Sequence, residues 1–141
     1  MINSLKINKV IDKMLAFCLT KGVQPDELVT AIFENEYDSI ETLKKKNHIN
    51  VIVTYKDCDE HDENIIKMKY IYNTDRQLLR VEQKINSSNY QVQWDRESAL
   101  DLILKELLGL FESEQQTINL IKDQIPDELR GIIYPKLKLA C

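Results

Sequence analysis

The densest run of chemically capable side chains is Asp57, Cys58, Asp59, Glu60, His61, Asp62 and Glu63, five acids with a cysteine and a histidine in seven consecutive residues. Carboxylates at that density suit a hard cation such as calcium, with Asp57, Asp59, His61 and Asp62 as the candidate ligands. An EF-hand loop, however, needs ligands at fixed alternating positions, a glycine at its sharp bend and a closing glutamate, and this run has no glycine. Zinc asks for a second pair of Cys or His ligands. The other histidine, His48, sits at the far end of the preceding strand, roughly 30 Å away by strand rise. The spacing describes a solvated acidic hairpin loop better than a metal site, and no cofactor is expected.

Glu82, Gln83 and Lys84 form the ExK arrangement of metal-dependent nucleases, in which an acid on an adjacent strand completes the site. The nearest upstream acid, Asp75, lies in a turn, roughly 23 Å along an extended strand from Glu82. The strand opposite Glu82 is expected to present Met68 and Lys69, so no second carboxylate shares the metal. Nucleophilic catalysis lacks its parts too, because neither histidine stands beside a Ser or Cys in a nucleophile-elbow pattern. Acidic neighbours disfavour the thiolate of Cys58. The three glycines, Gly22, Gly109 and Gly131, belong to no phosphate-binding loop. The chain is therefore read as something other than an enzyme.

Nucleic-acid binding has one plausible surface. Residues 65–85 carry five Lys and Arg against two acids, a local balance of +3, with Lys67, Lys69, Arg80 and Lys84 on one strand phase. The tyrosines and Trp94 fall on the opposite, core-facing phase, which leaves the basic face without the aromatics that stack on bases. A slip of one residue in strand phase reverses that arrangement. A helix-turn-helix over the first two helices is excluded, since its second helix would present Asp26, Glu27, Glu34 and Glu36 to a polyanion.

The elements that must position these residues follow from periodicity. Leu5, Ile7, Val10, Ile11, Met14, Phe17 and Cys18 predict a helix over 4–20 with Gly22 behind its end. Pro25, Asp26 and Glu27 open a second over 25–36. Ser39, Ile40, Leu43 and Lys44–Lys46 predict a short third over 39–46. From Asn47 the period becomes 2, giving strands over 49–56, 65–73, 78–85 and 90–94. Their short connections require an antiparallel meander. Tyr70, Tyr72, Val81, Tyr90, Val92 and Trp94 are assigned to its core face, and Lys67, Lys69, Arg80, Glu82, Lys84, Gln91 and Gln93 to the other. Helices over 96–112, 114–123 and 126–133 complete the chain, with Pro135 as a stop.

The fold class is α+β, a four-stranded antiparallel meander packed by N-terminal and C-terminal helices in a single domain over residues 1–141. With 141 residues, 43% of them apolar, and a net charge of −4, such a chain closes a core without metal or disulfide. Three cysteines, Cys18, Cys58 and Cys141, cannot all pair within one chain, which fits a reducing cytoplasm. Met14–Leu19 is too brief for a signal-peptide core, and no membrane span is expected. Ala99, Leu100, Ile103, Leu104, Leu107, Leu108, Leu110 and Phe111 cover about half the circumference of their helix, more than one sheet face needs, so this helix is expected to lie on the sheet and to touch a second apolar surface, either the N-terminal helices or another subunit. This surplus, together with the edge strand any open meander leaves, points to a protein-binding or regulatory module. Self-association through Leu102, Leu110 and Phe111 is the expected mode, ahead of nucleic-acid binding.

Overall fold

A computed structural model describes residues 4–58, 61–110 and 125–139. The expected helix over 114–123, and with it Phe111 and Asp59, lies outside them. The elements are α1 (Ser4–Leu19), α2 (Pro25–Val29) continued by a 3-10 turn (Thr30–Phe33), five strands and two more helices. The strands are β1 (Tyr37–Lys45), β2 (His48–Cys58), β3 (Glu63–Asn73), β4 (Leu78–Ile85) and β5 (Gln91–Asp95), and the helices α3 (Arg96–Leu108) and α4 (Asp127–Leu139). The strands form one antiparallel sheet in the order β1-β2-β3-β4-β5. The α+β class and the meander therefore stand, with five strands in place of four.

The extra strand replaces the expected helix over 39–46. Ile40 and Leu43 fit a helical face, but Ile40 and Thr42 also fit a strand face, and a helix this short is marginal by itself. The two-residue link Lys46–Asn47 lays the segment beside β2, where it gains eight register pairs from Tyr37↔Tyr55 to Lys45↔His48. Sheet pairing then outweighs local helical spacing. The second helix is shorter than expected, ending as a 3-10 turn at Phe33, where Val29, Thr30 and Ile32 crowd their rotamers. The last helix is longer than expected. It runs through Pro135, although proline has no N–H to give the carbonyl of Gly131.

The described residues form two compact units, one from the chain ends up to Thr20 and from Glu97, the other from Lys21–Arg96. The apolar side chains of the described residues gather in two clusters. In the helical unit, Ile7, Val10, Ile11 and Met14 of α1 meet Leu100, Ile103, Leu104 and Leu107 of α3 together with Ile125, Leu129 and Ile133. Both quartets have the i, i+3, i+4, i+7 spacing of a one-sided helix. Among the described residues, the buried face of α3 thus meets α1 and α4. Lys136 adds hydrogen bonds to Glu97 and Asp101, both at 3.0 Å. Burial works against its charge, and these two bonds outweigh it and raise its pKa.

In the sheet unit Val51, Val53, Tyr72 and Leu78 are buried, with Val23, Leu28, Ile40, Tyr70, Val81 and Trp94 packed around them. Residues 21–26 cross this face as a strap. The Leu78 N–H donates to the Lys21 carbonyl at 2.7 Å, the Tyr72 hydroxyl donates to the Val23 carbonyl, and the Gln24 amide donates to the Arg76 carbonyl at 2.9 Å. A bulge between Ile71 and Tyr72 brings Leu78, rather than Leu79, opposite Tyr72, and so buries it.

Burial, followed by the charges near it, pushes the Tyr72 phenol up to about 12. In the unfolded chain this phenol ionises near pH 10; between there and 12 the unfolded state binds fewer protons, so stability falls as pH rises. The two-unit difference corresponds to roughly 2 to 3 kcal/mol. Urea titrations at pH 9 and pH 12 are expected to show a smaller alkaline loss in Tyr72→Phe than in the wild type, and equal losses in both would contradict this account.

Candidate functional site

The strand register defines what the second sheet face presents. Ladder partners point to the same side, so the pairs Thr54↔Lys67↔Lys84, Ile52↔Lys69↔Glu82 and Asn50↔Ile71↔Arg80 lie in three rows across β2, β3 and β4. All four predicted cations, Lys67, Lys69, Arg80 and Lys84, therefore share one face. Lys69 stands directly opposite Glu82, as expected, so the position where an ExK metal site requires a carboxylate on this adjacent strand holds a lysine instead.

Beyond this point the expected phase fails. Val81 pairs with Trp94, but a bulge between Val81 and Glu82 makes Val92 the partner of Glu82, and Gln91 that of Gln83. The extra residue turns the start of β5 over. Val92 moves to the basic face and Gln91 leaves it, while Trp94 keeps its core position. Tyr90 also joins the basic face: the Lys69 ammonium lies 4.0 Å from its ring centroid and that of Lys84 5.7 Å. Burial first, then Glu82 and Glu41, raises the pKa of Tyr90.

The basic character of this face is partly neutralised. Glu82 receives Arg80 at 2.9 Å and Lys69 at 3.7 Å. Lys67 and Lys84 are left directly opposite each other as like charges. The chemistry available is that of an anion site with one aromatic ring beside it, built around a carboxylate that occupies two of the four cations.

A second surface is the outer edge of β1. The Lys56 N–H donates to the Glu36 carbonyl at 2.9 Å. Bonded residues alternate along an antiparallel ladder, so the even residues of β2 bond β1, and their partners Ser39, Glu41, Leu43 and Lys45 turn their N–H and C=O groups inward. Ile40, Thr42 and Lys44 then direct theirs outward, away from the sheet. Glu41 through Lys45 are all exposed, and β1 is the end strand of the sheet order. Leu43 is 48% exposed on this strand, and Phe33, just before it, is 88% exposed. Acids (Asp38, Glu41) occupy the first half of β1 and lysines (Lys44, Lys45) the second.

The other expected residues fall elsewhere. Leu102 is 68% exposed on α3, Leu110 packs against the helical cluster, and Phe111 is outside the described residues. Asp57 is the ladder partner of Asn64 and belongs to β2 rather than to a loop. His61 and Asp62 are exposed in the connection that follows. No group of three potential metal ligands converges among the described residues, and no described helix is long and apolar enough to cross a membrane. The β1 edge was hidden by a helical spacing that three lysines reinforced, although the two-residue link after Lys45 signals a hairpin. Tyr90 was misplaced because nothing local announces a bulge.

Compared with protein-family models, with curated proteins and with solved structures, the chain matches none.

Proposed function

We propose that the chain is a non-catalytic protein-binding module that takes up an extended segment by strand addition along β1. The observation that carries this reading is the row of outward backbone groups at Ile40, Thr42 and Lys44 beside five consecutive exposed side chains. An unpaired edge of this length offers main-chain hydrogen bonds for affinity and alternate side chains for selectivity. A non-catalytic role is supported by the placement of the two histidines: His48 begins β2 and His61 follows its end, roughly 33 Å of strand apart. The odd count of three cysteines supports residence in a reducing cytoplasm.

Selection of random decapeptides on the immobilised protein is expected to yield extended binders that Thr42→Pro no longer holds. Proline at an outward-facing edge position removes one donor and leaves the β1–β2 ladder intact, so the variant is expected to melt close to the wild type. Peptides that bind both proteins equally, or an empty selection, would overturn the reading.

The reversed phase of β5 favours nucleic-acid binding as a second reading, since it puts Tyr90 beside Lys69 and Lys84 on the face that also carries Lys67. Fluorescence anisotropy with a single-stranded oligonucleotide at low salt is expected, on this reading, to show binding that Tyr90→Ala weakens by roughly 1 to 3 kcal/mol, and that Lys67→Glu with Lys84→Glu abolishes.

A further inference from the structure

We infer that the segment taken up by β1 is β1 of a second copy of this chain, paired antiparallel about a two-fold axis through Leu43. The inference rests on the edge-binding reading above and adds the identity of the partner.

Its basis is the charge order of the strand. When two copies of β1 pair antiparallel about an axis within the exposed stretch Glu41–Lys45, the start of that stretch in one copy can face its end in the other, so the acid Glu41 can be set against a lysine. A two-fold axis perpendicular to the sheet keeps each residue on its own face, and directly opposed residues must share a face. Only registers that oppose residues of the same parity satisfy both conditions.

Among these, self-pairing at Glu41 or at Lys44 sets like charges against each other across the axis. Self-pairing at Ile40 or at Thr42 leaves Glu41 opposite an uncharged residue, Ser39 or Leu43. Self-pairing at Leu43 places Glu41 opposite Lys45 on both sides of the axis. It also sets the two half-exposed Leu43 side chains against each other, at a non-hydrogen-bonded position where opposed side chains approach most closely. The outward groups of Thr42 then meet those of Lys44 of the other copy, as a hydrogen-bonded pair requires. The overlap falls on Glu41–Lys45, the stretch that is exposed throughout.

Lysines on an edge ordinarily protect it from pairing. Here Lys45 rejects a strand that brings a lysine opposite it and accepts one that brings Glu41, so it selects a register. The interface is short, and a weak, concentration-dependent dimer is the expected species.

Sedimentation velocity over a concentration series on the full chain tests this. The wild type is expected to move from monomer to dimer as concentration rises, and Thr42→Pro to remain monomeric. Glu41→Lys and Lys45→Glu are each expected to remain monomeric, because each sets like charges opposite in the self-pair. An equimolar mixture of the two variants, or the doubly exchanged chain Glu41→Lys/Lys45→Glu, is expected to recover wild-type association. Since recovery needs folded partners, it excludes misfolding as the cause of the single-variant loss.

A wild type that stays monomeric throughout overturns the second-copy inference. If it still binds extended peptides that Thr42→Pro loses, the edge reading survives; if it binds none, both fall. A dimer unaffected by Thr42→Pro overturns the inference by placing the contact elsewhere, and a dimer that both charge variants retain overturns the Leu43 register.

Discussion

Gly22→Ala is expected to destabilise the unit formed by residues 21–96 by roughly 2 to 4 kcal/mol, the sum of a left-handed backbone penalty and an overpacking penalty. Gly22 has φ +90, a conformation that L side chains rarely adopt, and an added Cβ would stand 2.8 Å from the Leu78 Cβ and 3.2 Å from its Cδ2. Leu78 cannot withdraw easily. Its N–H is bound to the carbonyl of Lys21, its side chain is buried, and its position opposite Tyr72 is set by a bulge. The strap would have to lift, and the bonds from Tyr72 to Val23 and from Gln24 to Arg76 would lengthen with it.

Trp94, the chain's one tryptophan, packs in the sheet cluster, so its fluorescence during urea unfolding reports this unit. Gly131→Ala is the matched control, because a Cβ there meets nothing within 4 Å and the position is inside α4. Its helix propensity predicts a gain of up to about 1 kcal/mol. An unchanged midpoint in Gly22→Ala would mean that the strap does not hold Leu78 as described.

Leu104→Ala is expected to cost roughly 2 to 5 kcal/mol, as fully buried leucine truncations do, whereas Leu102→Ala is expected to stay within about 0.5 kcal/mol of the wild type. The two leucines are two residues apart on α3, yet Leu104 is fully buried and Leu102 is 68% exposed. Leu104 lies at the centre of the contacts between α1, α3 and α4, and the cavity left by its loss is bounded by side chains on three segments that cannot all close on it. Circular dichroism at 222 nm during urea unfolding checks both variants. A large loss in Leu102→Ala would show that α3 is turned differently about its axis. Unchanged stability there, with self-association intact, would also remove Leu102 from the binding surface, in keeping with the contact at β1.

Much of the architecture was legible because it depends on periods that side-chain burial enforces. The quartets Ile7, Val10, Ile11, Met14 and Leu100, Ile103, Leu104, Leu107 announce their helices by spacing alone. The alternation Ile66, Met68, Tyr70, Tyr72 announces β3 and its phase, which the pairing with Val51, Val53 and Val81 confirms. Even the cross-strand meeting of Lys69 with Glu82 follows from short turns and antiparallel order. The basic residues of the candidate face were accordingly placed on one side from sequence, without knowledge of their neighbours.

Three features were not legible, each for a physical reason that sequence leaves undetermined. Tyr37–Lys45 carries apolar spacing compatible with either period, and only the ladder with β2 decides between them. The bulges near Leu78 and Val92 insert one residue into a strand with no local marker, and each reverses the face of everything beyond it until the register recovers. The apolar surplus of α3 left two occupants open, the N-terminal helices or another subunit, because the quantity visible in sequence is the width of an arc, while its occupant is a matter of which segments converge. Composition and periodicity determined the class of the fold, its element order and the residue types available on each surface, because those depend on local conformation and on burial of one face. Tertiary structure alone decided which strand edge stays open, which side of the sheet receives Tyr90 and what covers α3, because pairing energy is gained between segments far apart in the chain.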